Sequence, residues 1–371
     1  MNIPSARRRV LSTRAPLLLL FILLNAPVLL ADSVNTLERT MTKVAEGVYV
    51  IRHKDAPDGF PQGNTTVIVG DRDVFVVDSC YLPSAAREDI AQIKQLTDKP
   101  VRYLLNTHWH YDHTLGNGAY GEAFPMLAII AHTETRKQIE GYNPGWFERY
   151  PKRTATFKAM LATGKEEDGR PLTDARKKEI SDTLSGREPV GVEFKGLADR
   201  LPNVMFDHDL IIDIGNREVH VKHLGRGNTA GDAIVYLPRE KILIAGDLLD
   251  HPVPYLGGGY PSELIATLQS MALLDAQTIV PGHGGLLRDK AYLTLVIDFL
   301  KTVVSQVNKE VYRLGNSSRV LDDVQRAVEQ AVDMSSWRQR FAGDDKDNRE
   351  FFDSFSFPGL VKAAYAELWR R

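Results

Sequence analysis

His108-Trp109-His110-Tyr111-Asp112-His113 puts three of the chain's ten histidines and one carboxylate into six consecutive positions. The run before it, Val101-Arg102-Tyr103-Leu104-Leu105, is short, largely apolar and preceded by Pro100, the pattern of an interior strand. The ligand-type side chains then crowd onto the loop at that strand's C-terminal end. Imidazole together with carboxylate suits a borderline cation such as zinc. Gly116 and Gly118 follow closely and let a loop fold tightly around an ion. The alternative is a polar loop whose histidines only satisfy backbone groups. Chance rarely sets four such side chains so close together, which favours metal binding.

Working outward, Asp78 closes the apolar run Val74-Phe75-Val76-Val77, and Asp247 closes Ile242-Leu243-Ile244-Ala245-Gly246. His283 stands in Pro281-Gly282-His283-Gly284. With His-x-His-x-Asp-His these pieces, in this order over roughly residues 43–285, resemble the metallo-β-lactamase fold superfamily. One position departs from the family pattern. Where relatives usually carry a histidine, Gly225-Arg226-Gly227-Asn228-Thr229 offers Asn228.

The resemblance implies two metal positions. Asp112, His113 and His283 would form one, and His108 and His110 with Asn228 the other, with Asp247 bridging or completing the pair. It implies a hydrolase in which zinc makes hydroxide available near neutral pH for attack on an acyl carbon. Asp112 would orient or relay the proton, and Asp78 would fix a ligand imidazole. A neutral amide is a poorer zinc ligand than imidazole, so the chain is expected to hold one or two zinc ions, the second weakly. His223, an odd number of residues upstream of Asn228, is expected to point away rather than replace it. The same superfamily includes one-iron oxygenases of sulfur compounds, which would tolerate loss of one position. A metal-binding protein with little catalytic activity is the remaining alternative.

Substrate contacts are expected from two loops. Phe60 lies in His53–Gly63, which in the family often overhangs the site. The loop after Asp247 contains His251, Tyr255 and Tyr260 among prolines and glycines. No lysine occurs in this loop to hold a carboxylate, as many β-lactamases of the family do. A thioester, lactone or other ester with an apolar portion therefore fits better than a β-lactam.

The periodicities suggest two βα halves packed sheet to sheet, a four-layer αββα sandwich over residues 43–290. Residues 133–203 read as a helical insertion of short helices, with loops at Gly164–Gly169 and Leu184–Val190. Met126–Ala131 reads as a strand ended by a capping or core His132. Ser262 is expected to cap a helix through Leu274. Leu293, Val296, Leu300, Val303, Val307 and Val311 recur at helical spacing in a C-terminal helical extension, 291–371.

Arg7-Arg8-Arg9, the apolar block Leu17–Leu24 and small residues up to Ala31 describe a secretory signal peptide, 1–31. The mature protein is expected to be exported, periplasmic and not stably inserted in a membrane. A formal net charge of −2 argues against a nucleic-acid partner, leaving a small molecule. Self-association is not legible. Cys80 is the single cysteine, so no intrachain disulfide forms, and it is expected to be a buried thiol rather than a nucleophile.

Overall fold

The computed structural model describes residues 39–197, 199–314 and 320–368. The expected signal peptide, 1–31, lies outside them. Two sheets carry the architecture. The first runs β1 (Arg39–Ala45), β2 (Val48–His53), β3 (Thr65–Val69), β4 (Val74–Val77), β5 (Val101–Leu105), β6 (Ala128–His132) and β7 (Val204–Phe206), neighbours in that order. Pairing is antiparallel through β4 and parallel from β4 to β7. The second sheet holds β8 (Asp209–Asp213), β9 (Glu218–Lys222), β10 (Ile234–Leu237), β11 (Ile242–Asp250) and β12 (Thr278–His283). Only β11 and β12 are parallel in it.

Side-chain alternation explains why the sheets stack. Phe75 and Val77 of β4 pack into the core between the sheets, while Val74 and Val76 point to the helices outside. On β11, Ile242 and Ile244 enter the shared core, and Leu243 and Ala245 face the opposite helical layer. Strands buried on both faces need cover on both. Each fully buried Val, Leu, Ile or Phe contributes roughly 1.5–3 kcal/mol. The outer layer over the first sheet includes α1 (Pro83–Leu96), started by Pro83, with the short α2 (Tyr111–Thr114) and α3 (Asn117–Ala123) beside it. α6 (Pro261–Ala272) and α7 (Ala291–Leu314) cover the second sheet. The result is the αββα sandwich.

Between β6 and β7 the chain makes two long helices, α4 (Thr133–Thr163) and α5 (Asp174–Phe194), not several short ones. Leu184–Val190, expected as a loop, lies inside α5, with Leu184 buried in the cluster shared with α4 and Val190 buried on the main body. Trp146, Phe147 and Tyr150 pack on the main body, whereas Phe157 and Met160 join a separate small cluster with Ile180 and Leu184. His132 caps α4, its side chain accepting from the Glu134 amide. Tyr260, not Ser262, is the cap residue of α6, since Pro261 takes the first helical position.

Beyond α7 lie α8 (Leu321–Ala331), α9 (Met334–Ala342) and α10 (Lys346–Phe351), then a π-helical turn, Phe352–Ser356, and α11 (Phe357–Glu367). Phe299, Phe341 and Phe352 close together in this layer. Gly315, which reads in the sequence as a glycine stop just past the apolar periodicity ending at Val311, and Trp369, the end of the helix the sequence suggests from Phe351, lie outside the described residues.

Candidate active site

The ends of β4, β5, β11 and β12 meet at one edge of the sandwich. Asp78 follows β4, the His108–His113 segment follows β5, Asp247 sits inside β11 and His283 ends β12. Asn64 stitches the two halves here. Its backbone amide donates to Gly282 O at 2.7 Å, and its side-chain amide donates to Pro281 O at 2.9 Å.

Asp112, His113, Asp247 and His283 form one group whose ligand atoms all lie within 4.8 Å of one another. His108, His110 and Asp247 form a second. His283 Nε2 is 2.9 Å from Asp112 Oδ2, and His108 Nε2 is 3.2 Å from Asp247 Oδ2. Asp247 Oδ1 lies 3.0 Å from His113 Nε2, yet this buried oxygen has no partner in hydrogen-bonding geometry. His113 Nε2 and His283 Nε2 approach to 3.3 Å, and His108 Nε2 and His110 Nδ1 to 3.0 Å. Facing ring nitrogens around a bare carboxylate oxygen are what a cation would satisfy, so this donor set fits zinc.

The electrostatics agree. Burial pulls the pKa of His113 and His283 down, but facing carboxylates, Asp247 foremost, more than offset this and hold both well above the usual imidazole range. Burial opposes ionisation of Asp112 and Asp247, and the neighbouring imidazoles, led by His113, overcome it and hold both below the ordinary carboxylate range. His108, fully enclosed, is pushed by burial to about 4 despite Asp247 beside it. The cluster is thus a set of carboxylates that draws positive charge onto its imidazoles.

Asp78 lies behind the ligands. His113 Nδ1 is 2.9 Å from Asp78 Oδ2, while the Thr107 amide and hydroxyl donate to the same carboxylate at 2.8 Å each. A carboxylate that accepts from Nδ1 leaves the Nε2 lone pair aimed into the cluster. Gly63 packs directly on the His113 ring, where a Cβ would fall 2.4 Å from Cε1.

Asn228 stands beside His110, with Nδ2 3.5 Å from Nδ1. His223 does not join the site. Its ring stacks on His132 at 4.2 Å and its Nδ1 lies 2.8 Å from Asp232 O. Cys80 is buried, and burial pushes its thiol up, which suits no nucleophile.

A cavity of about 690 Å³ opens over the cluster. Phe60, His251 and Tyr255 line it, and Tyr260 does not. The Tyr260 amide is tied to Gly227 O, and the Arg226 guanidinium lies 4.1 Å over its ring. Phe60 stacks on Tyr81 at 4.6 Å, and Tyr111 stacks on Trp146 of α4 at 4.4 Å. Burial lowers the His251 pKa, which opposes a positive charge on the loop's one cation candidate.

Four lining residues carried no sequence signal: Asp55, Asp250, Phe351 and Phe355. Asp250 is buried with Oδ1 unpartnered, its pKa raised by burial and by Asp247. Phe351 and Phe355 come from helices far along the chain.

Two facing sheets thus carry, at their shared edge, a convergent His/Asp cluster that could hold metal. The family model described as the metallo-beta-lactamase superfamily matches residues 58–283, more than half of the chain. The chain belongs to the metallo-beta-lactamase superfamily, and the relatives it matches are hydrolases. Among curated proteins it is similar to a linear primary-alkylsulfatase from a Pseudomonas species, 20% identical over 273 residues. That match covers 69% of this chain and 48% of the relative, so the chain spans about half the relative's length. Among solved structures it is similar to the DIM-1 metallo-beta-lactamase, with TM-score 0.50, 17% identity and coverage of 71% of this chain and 98% of that one. A metallo-beta-lactamase from Pontibacter korlensis matches with TM-score 0.50, 20% identity and coverage of 71% and 99%.

Proposed function

We propose that the protein is a zinc-dependent hydrolase of a small acyl substrate of the ester, thioester, lactone or β-lactam type. One observation carries this reading: donor atoms of Asp112, His113, Asp247 and His283, brought from three separate segments, lie within 4.8 Å of one another. These four residues would hold the stronger zinc, and His108 and His110 the weaker, with Asn228 beside them. Zinc in such a site supplies Lewis acidity and brings the pKa of a coordinated water towards neutrality.

The chain's own residues then have separable tasks. Asp78 orients His113 from behind. Asp112, enclosed with Oδ2 beside His283 Nε2, is placed to orient the attacking water and relay its proton. Phe60 walls one side of the cavity, backed by the buried ring of Tyr81 stacked on it. The basic, apolar start of the sequence further supports export to the periplasm. Among the described residues no helix is long and apolar enough to cross a membrane.

The test is turnover of one ester, one thioester, one lactone and one β-lactam by natively purified protein. Metal per chain is measured alongside, then activity after chelation and after return of zinc. Turnover that stops on chelation and returns with zinc supports the reading. Turnover indifferent to chelation, or a purified chain that takes up no zinc, would sink it.

A further inference from the structure

We infer that the cavity selects acyl substrates carrying an apolar arm and no negative charge, with the arm resting on Phe351 and Phe355 and Asp55 at the exposed rim. This deepens the hydrolase reading and rests on it.

The aromatic wall comes from the C-terminal helices. Asp345 caps α10, its side chain accepting from the Asn348 amide at 2.9 Å. The π-helical turn then lets Phe352 and Phe357, five residues apart, both bury in the helical core. Phe351 and Phe355 are left on the other side, stacked at 5.5 Å and lining the cavity, with Phe355 56% exposed. A half-exposed aromatic pair above a ligand cluster offers apolar area at little entropic cost. The volume of about 690 Å³ accommodates a drug-sized molecule, not only its reacting group.

Apart from its imidazoles, the charged-type side chains of the lining are all carboxylates. Asp55, Asp112, Asp247 and Asp250 line the cavity, and no lysine or arginine does. Asp112 and Asp247 belong to the ligand cluster, and Asp250 is buried behind it. Asp55 is different: it is exposed, and no hydrogen bond or ion pair engages its carboxylate among the described residues. Its loop is nonetheless fixed, since Gln62 donates to Lys54 O and the Ala56 amide to Phe60 O, each at 2.8 Å. At this rim an anionic arm would meet the carboxylate with no lysine or arginine among the lining residues to pair it, whereas a neutral or cationic arm meets no such penalty. His251, the remaining imidazole of the wall, stands edge-on to Tyr292 at 4.9 Å.

The experiment uses the zinc-loaded full chain and three thioesters with one common acyl group. Their arms end in a phenyl ring, a quaternary ammonium and a carboxylate. The expected order places the phenyl and ammonium arms about tenfold or more above the carboxylate arm in kcat/KM. Asp55→Lys should shift the carboxylate-to-ammonium ratio by about tenfold or more towards the carboxylate. Phe355→Ala, at an exposed position, should raise KM for the phenyl arm several-fold relative to a substrate without an arm. A carboxylate preference in the unaltered protein, or a ratio unmoved by Asp55→Lys, would overturn the inference. Should none of the three be hydrolysed, the hydrolase reading fails for this class. Calorimetric binding of the three corresponding thiols then decides this inference by the same order.

Discussion

His113 donates from Nδ1 to Asp78 Oδ2 across 2.9 Å, and Asp78 holds that position in the left-handed region, at φ 61°. A non-glycine residue in that conformation is uncommon, and the three hydrogen bonds to its carboxylate keep it there. Strain at the end of β4 is thus tied to the aim of one imidazole.

Asp78→Asn removes the charge behind His113 but tolerates the same backbone conformation. The expected result is a folded protein whose zinc affinity falls about 10- to 100-fold. Competition with a chelator of known affinity measures it, and an unchanged affinity would remove Asp78 from the metal's support.

Asn228→His should raise zinc occupancy. The side chain already stands beside His110, and imidazole is the better ligand. Metal per chain and affinity, compared before and after substitution, give the answer. Identical stoichiometry and affinity would mean that this position does not face the weaker site.

Gly63→Ala should be damaging far beyond one methyl group. The added Cβ would meet His113 Cε1 at 2.4 Å, while the Gly63 amide donates to Asp112 O and the Gly63 carbonyl lies 2.8 Å from His53 Nδ1. A loss of about 1–3 kcal/mol is expected from overpacking, read by chemical denaturation. Weakened zinc binding should accompany it. A variant with unaltered stability and affinity would show that the segment yields freely.

Asp232 gives a pH prediction. Burial pushes its carboxyl up from 3.8 to about 7, although Thr229 donates to it from amide and hydroxyl. The folded chain keeps a proton there that the unfolded chain releases near pH 4. Its contribution to stability is therefore full below about pH 4 and is lost as the pH rises towards 7. In metal-stripped protein, Asp232→Asn should lessen the fall in stability between pH 5 and 8. A parallel pair of stability curves would refute the assignment.

The amino-acid sequence by itself determined the strands, because short apolar runs bounded by turn residues, as along β4, β5 and β11, are a local property of the chain. It also exposed the ligand-type residues at the strand ends, since His108–His113 is contiguous and Asp247 and His283 each close an apolar run. The long α5 was hidden: its polar, weakly amphipathic surface carries little helical periodicity, and its helicity depends on packing against α4. Tertiary structure alone decided which side chains meet. The 3.0 Å approach of Asp247 Oδ1 to His113, the stitching of Asn64 to β12, and the exclusion of His223 and Tyr260 all depend on how the two sheets stack. The same holds for the aromatic wall. Phe351 and Phe355 reach the cavity because a π-helical turn and a buried Phe352 orient them there, and contacts between segments so distant in sequence leave no local periodicity to read.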